Sequence, residues 1–149
     1  MTDPIKLIGN VASPYTRKMV AYLRYKRIPY EVIWGQPEDI LLSMNIEAPK
    51  PILLPVFILD RDGQATAVTD STPLIREFED KYPDRSVLPN NPALNFINFV
   101  LEDFGDEWCT KFMFHYRWHF DEDADNAGTI LPLGINSNLK DDELAFFKE

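Results

Sequence analysis

Ser13-Pro14-Tyr15-Thr16-Arg17-Lys18-Met19-Val20-Ala21-Tyr22-Leu23 follows a short apolar run, Ile5 to Ile8, that ends in Gly9. The Ser13 hydroxyl can cap a helix, and Pro14 suits its first position, where a missing N–H costs nothing. Met19, Val20, Tyr22 and Leu23 fall on one side of that helix, Arg17, Lys18, Arg24 and Lys26 take the others, and Ile28-Pro29 closes it near Arg27. A buried strand feeding an amphipathic helix is therefore expected here.

Outward from this unit the same alternation continues. Tyr30 to Trp34 reads as a second strand, and Pro37-Glu38-Asp39 before Ile40-Leu41-Leu42 reads as the acidic first turn of a short helix. Residues 48–54, with Pro49 and Pro51, form an extended approach to Pro55. Val56 to Leu59 makes a third strand, Asp60-Arg61-Asp62-Gly63 supplies a turn, and Ala65 to Thr69 pairs back as a hairpin. A last helix starts at Ser71, turns Leu74, Ile75 and Phe78 inward, and stops before Pro83. The order is βαβ then ββα.

Pro83, Pro89 and Pro92, with Asn90-Asn91 between them, punctuate a polar linker. From Ala93 to Phe120 there is no proline, and Phe96, Phe99, Val100 and Phe104 suggest a long helix that Gly105 can kink or divide. Residues 121–141 mix acids, Gly128, Pro132, Gly134 and asparagines, which favours an irregular tail, with one more helical turn or two from Glu143 to Lys148. The expected organisation is an α/β domain over 1–84, a linker over 85–92 and a truncated helical region with an irregular acidic tail over 93–149.

Composition narrows the function classes. The chain has 149 residues, 45% of them hydrophobic, enough for one core and an appendage. No apolar run approaches the roughly 20 residues of a membrane helix, and the N-terminus has no signal segment, so a cytoplasmic protein is expected. Cys109 is the single cysteine, which excludes a two-cysteine redox cycle within the chain. A net charge of −9 disfavours nucleic acid and anionic membranes as partners. Acids far outnumber bases between Glu102 and Glu143, and Glu102, Asp103, Asp106 and Glu107 read as a solvated helix face. A carboxylate metal site would want a Glu-x-x-His pattern that is absent. His115 and His119 share a helix face without a third ligand at defined spacing, so no metal is expected. Cys109, beside Trp108, reads as an inert thiol, and the aromatic run from Trp108 to Phe120 as interface core or the wall of a second-substrate pocket.

Three motifs in order, Ser13-Pro14-Tyr15-Thr16-Arg17-Lys18, Leu54-Pro55 before a strand, and Asp70-Ser71 opening a helix, resemble the N-terminal domain of cytosolic glutathione transferases. The resemblance covers roughly residues 5–83 and implies a thioredoxin-like domain followed by a partial all-α domain. It implies a cis Leu54-Pro55 bond, with the Leu54 backbone meeting the cysteinyl part of glutathione; the alternative is an ordinary trans proline at an edge strand. Asp70 and Ser71 match the pair that takes the γ-glutamyl end, although both can act simply as helix-start residues. Ser13 stands where the family meets the glutathione sulfur, and serine there implies conjugation rather than thiol–disulfide exchange; plain capping is its alternative role. Lys50 aligns loosely with a group for the glycyl carboxylate and is otherwise a solvated lysine, while Tyr15 reads as a packing residue. The implied function is glutathione binding and thiolate attack on a small electrophile, in a homodimer; the alternative is a non-catalytic interaction or ligand-sensing module on the same scaffold.

Overall fold

The computed structural model describes residues 3–148. Its N-terminal part runs β1 (Ile5–Gly9), α1 (Pro14–Lys26), β2 (Tyr30–Trp34), α2 (Pro37–Ser43), β3 (Val56–Arg61), β4 (Gln64–Val68) and α3 (Ser71–Lys81). Every one of these elements lies where the apolar spacing and the turn residues put it. The four strands form one mixed sheet in the order β2-β1-β3-β4, with β1 parallel to β2 and antiparallel to β3, and β3 antiparallel to β4. A parallel pair needs a crossover, and α1 supplies it.

Strand alternation divides the core into two layers. Leu7 lies opposite Phe57 in the β1–β3 ladder, and both turn to the side covered by α1 and α3, where they meet Met19, Leu23, Leu74 and Phe78. Ile8 lies opposite Val56 and turns to the other side, where Leu41 of α2 covers them. Burial of side chains of this size contributes about 1.5–3 kcal/mol each. The Phe78 ring ties the larger layer together, packing on Tyr22, Phe57 and Tyr82.

Helix α1 starts and stops by local chemistry. Ser13 is its N-cap in extended conformation and Pro14 its first residue; Arg27 at φ 59° ends it, and the Ile28 N–H returns to the Leu23 carbonyl at 3.0 Å. One expectation about its faces is corrected. Lys26 is not on an exposed side: its side chain is 0% exposed and its Nζ lies 2.8 Å from Glu79 Oε1 of α3. The amphipathic pattern marks apolar residues as inward, and a buried lysine paired across 53 positions leaves no trace in it.

Past the linker come α4 (Pro92–Asp103), a π-helical turn (Phe104–Trp108), α5 (Cys109–Trp118), α6 (Asp121–Ile135) and α7 (Asp141–Phe146). The long helix is divided at the turn that contains Gly105. The irregular tail expected over 121–141 is overturned, because 121–135 is helical. Asp121, Glu122 and Asp123 occupy its first turn, where they favour the positive end of the helix dipole. Its glycines and proline serve close packing. Ala127, Gly128 and Pro132 are buried, and a Cβ on Gly128 would stand 3.1 Å from the Phe147 carbonyl oxygen. A Cβ on Gly134 would fall 2.5 Å from Asn10 Oδ1, so α6 reaches the loop that leads into Ser13.

Candidate functional site

The loop between β1 and α1 is held from several directions. Asn10 Oδ1 accepts the Ala12 N–H at 2.8 Å, and the Asn10 N–H donates to Thr16 Oγ1 at 3.3 Å. Arg17 Nε donates to the Val11 carbonyl at 2.8 Å, and Arg117 of α5 reaches the Ala12 carbonyl at 3.3 Å. Ser13 is thus fixed by its own helix and by the helical region. Its Oγ accepts the Thr16 N–H at 3.2 Å, which leaves its O–H to donate elsewhere.

Ser13, Leu54, Asp70 and Ser71 line one cleft of about 540 Å³. The sheet brings them together: β1 ends at the Ser13 loop, β3 starts just after Leu54, and β4 delivers Asp70 to the start of α3. The N-termini of α1 and α3 both open at this cleft, and each adds a favourable field for negative charge. The Leu54–Pro55 and Lys50–Pro51 bonds are cis. Pro55 is buried next to Leu54, whereas Lys50 is exposed, and neither is among the residues that line the cleft.

Asp70 combines two tasks. Its carboxylate caps α3 by accepting the Thr72 N–H at 3.1 Å, and its backbone is held at φ 78°, ψ 116°. A non-glycine residue in that region costs on the order of 1–3 kcal/mol, a cost characteristic of binding and active sites. Its side chain stays open to solvent at the cleft edge.

The opposite wall comes from α4 and the π-helical turn, through Phe99, Glu102, Asp103, Asp106 and Glu107. Asp103 and Glu107 are exposed, as expected of a solvated acidic face, but that expectation is corrected for Glu102 and Asp106. Glu102 and Asp106 are spaced to share a helix side and turn inward to Lys18 of α1. Their i, i+4 spacing was visible in the sequence, but their partner lies more than 80 residues away. Tyr15 also has more than a packing role. It lines the cleft and its O–H donates to the Asp106 carbonyl. Burial first, then the Asp106 and Glu107 carboxylates, push this phenol above its ordinary range, so it remains a donor.

Elsewhere His115 and His119 stack at 4.5 Å on an exposed face of α5. Among the described residues no three His, Cys, Asp or Glu side chains gather to hold a metal ion, and no helix is long and apolar enough to cross a membrane.

Comparison with known proteins bears on the cleft and the fold. No curated protein sequence matches the chain. Among solved structures it is similar to a glutathione S-transferase from Methylobacterium radiotolerans in complex with glutathione sulfonate, with a TM-score of 0.58 and 21% identity over 98% of this chain and 61% of that one. It is similar also to a glutathione S-transferase from Rhodospirillum rubrum, TM-score 0.59 and 23% identity over 97% and 60%. A Tau class glutathione S-transferase from Mangifera indica gives 0.57 and 22% over 87% and 60%. The chain spans about 60% of the length of these structures. They share its thioredoxin-like mixed sheet and following helices. The model of the glutathione S-transferase N-terminal domain matches residues 7–86, more than half of the chain and nearly all of the sheet, and the chain belongs to the glutathione S-transferase family.

Proposed function

We propose that the chain binds glutathione in the cleft between α1, α3 and α4 and stabilises its thiolate for attack on a small electrophile. The observation that carries this reading is the convergence of Ser13, Leu54, Asp70 and Ser71 on one cleft at two helix N-termini. In this reading the backbone of Leu54 pairs with the cysteinyl unit. Ser71 and the first turn of α3 receive the γ-glutamyl carboxylate, and Asp70 receives its ammonium. The Ser13 O–H donates to the sulfur, which favours the ionised thiol over the thiol. Pro55 holds the Leu54 backbone in place, and Lys50, exposed on the segment that leads to Pro55, reaches in to the glycyl carboxylate. No metal enters the chemistry proposed.

Titration calorimetry with glutathione tests binding, and the pH–rate profile with a small aryl-halide electrophile tests the role of Ser13. Ser13→Ala should move the apparent pKa of conjugation up toward the free-thiol value of ~8.5. It should also slow the neutral-pH rate about tenfold, the effect of one hydrogen bond to a charged group. Loss of the helix cap alone would lower stability without moving the profile. An unmoved profile would remove Ser13 from the chemistry, and binding without conjugation would favour the non-catalytic module.

The same reading includes a cytoplasmic homodimer. Phe96, Phe99, Phe104, Trp108, Phe112 and Phe114 of the helical region are all about half exposed or more. Apolar surface of that extent marks interaction sites. Sedimentation equilibrium should give twice the chain mass, and a monomer at all concentrations would refute the dimer.

A further inference from the structure

An ammonium group carries three protons and no acceptor. Lys18 on α1 directs its Nζ at three acceptors: Ser71 Oγ at 3.1 Å, Glu102 Oε1 at 3.1 Å, and the Asp106 carboxylate. Ser71, Glu102 and Asp106 line the cleft, and Lys18 joins them from α1. Lys18 is 25% exposed, Glu102 and Asp106 are each 18% exposed, and Ser71 is buried. Glu102 Oε1 also accepts the Thr72 O–H at 3.3 Å. The first turn of α3 is therefore tied to α4 twice, once through Lys18 and once through Thr72.

The bond to Ser71 has a directional consequence. Because Lys18 can only donate, the Ser71 oxygen must accept, and its own proton has to point away from Lys18. We propose that Lys18 is a positioning residue for glutathione binding: by donating to Ser71 Oγ it turns the Ser71 O–H into the cleft, toward the carboxylate of the incoming γ-glutamyl group. The proposal rests on the glutathione reading above. A second effect runs beside it. Lys18 offsets Glu102 and Asp106, which otherwise face an anionic ligand across the cleft. Without Lys18, the Ser71 proton is free to turn to Glu102, and both carboxylates stand uncompensated.

Calorimetric titration with glutathione across a double-mutant cycle of Lys18→Met and Ser71→Ala tests this. Lys18→Met alone should weaken glutathione binding about tenfold, as loss of one well-aligned polar contact to a charged group does. In the Ser71→Ala background the same substitution should cost only about threefold, the part left to uncompensated charge, because contacts that act through one another are not additive. At saturating glutathione, kcat should stay within about twofold of the parent while KM rises, since Lys18 does not reach Ser13. Lys18→Gln, which keeps a donor for Ser71 and loses the charge, should cost only about threefold in either background, and a loss of about tenfold in it that Ser71→Ala does not reduce would overturn the positioning role. Equal losses from Lys18→Met in the two backgrounds, or unchanged affinity in that variant, would overturn the positioning role while leaving the glutathione reading in place. A parent chain that does not bind glutathione would overturn both.

Discussion

Glu79→Gln should lower the stability of the chain by about 3–5 kcal/mol, the usual cost of removing one partner of a buried ion pair. Few single substitutions should cost more, because Glu79 closes a buried network. Its side chain is 5% exposed and that of Lys26 is 0% exposed. Oε1 accepts the Tyr22 O–H at 2.8 Å, and Oε2 accepts the Ser86 O–H and the Val87 N–H, the latter at 3.1 Å. Lys26 Nζ lies 2.8 Å from Oε1 but off hydrogen-bond alignment, so that contact is an ion pair first. Glutamine fits the space and leaves the Lys26 charge buried and alone. On a chain of this length the thermal midpoint should fall by on the order of 10 °C.

The same network sets an acid limit. Burial alone would raise the Glu79 carboxyl, but Lys26, Ser86 and Tyr22 together outweigh it and hold the group below its ordinary value of 4.5. The unfolded chain therefore takes up this proton at higher pH than the folded one does. Stability from Glu79 is complete above the ordinary carboxyl range and is lost as pH falls through the depressed folded value. Thermal melts of the parent from pH ~6 to ~3 should show this loss, and the Glu79→Gln variant should lack that component. A parallel pH dependence in the two proteins would assign the acid transition to other carboxyls.

How much of this was legible in the sequence depends on how far apart the interacting residues lie. Ser13-Pro14, the Asp60 to Gly63 turn and the Asp70-Ser71 helix start are local signals. Each names its own element, so the sheet and its helices could be read outright. The cleft residues of the N-terminal part were legible for the same reason, since each sits at an element boundary. The acidic wall was not. Glu102 and Asp106 look like any solvated helix face until Lys18 of α1 is set against them. Helix α6 was hidden differently. Gly128, Pro132 and Gly134 carry the composition of a loop, yet the glycines are there because a backbone carbonyl and Asn10 come too close for a side chain. Composition records the residue and not the neighbour that requires it.

Asp70→Asn should weaken glutathione binding by about 10- to 100-fold, the range expected when a charge-assisted hydrogen bond is lost. Asparagine is the informative replacement because of what it keeps. Asp70 caps α3 through the Thr72 N–H and holds φ at 78°. Asparagine caps helices as well as aspartate does and is among the residues that best tolerate positive φ. Alanine would lose the cap and tolerate that backbone poorly, so a loss of binding could come from a displaced helix start. With asparagine the fold and the cap remain, and only the negative charge is removed from the cleft edge. Calorimetric titration with glutathione, beside a thermal melt, separates the two effects. Weakened binding at an unchanged midpoint would support Asp70 as the partner of the γ-glutamyl ammonium. Full affinity in Asp70→Asn would reduce Asp70 to a capping residue and leave the ammonium to the acidic wall, where Asp103 and Glu107 line the same cleft.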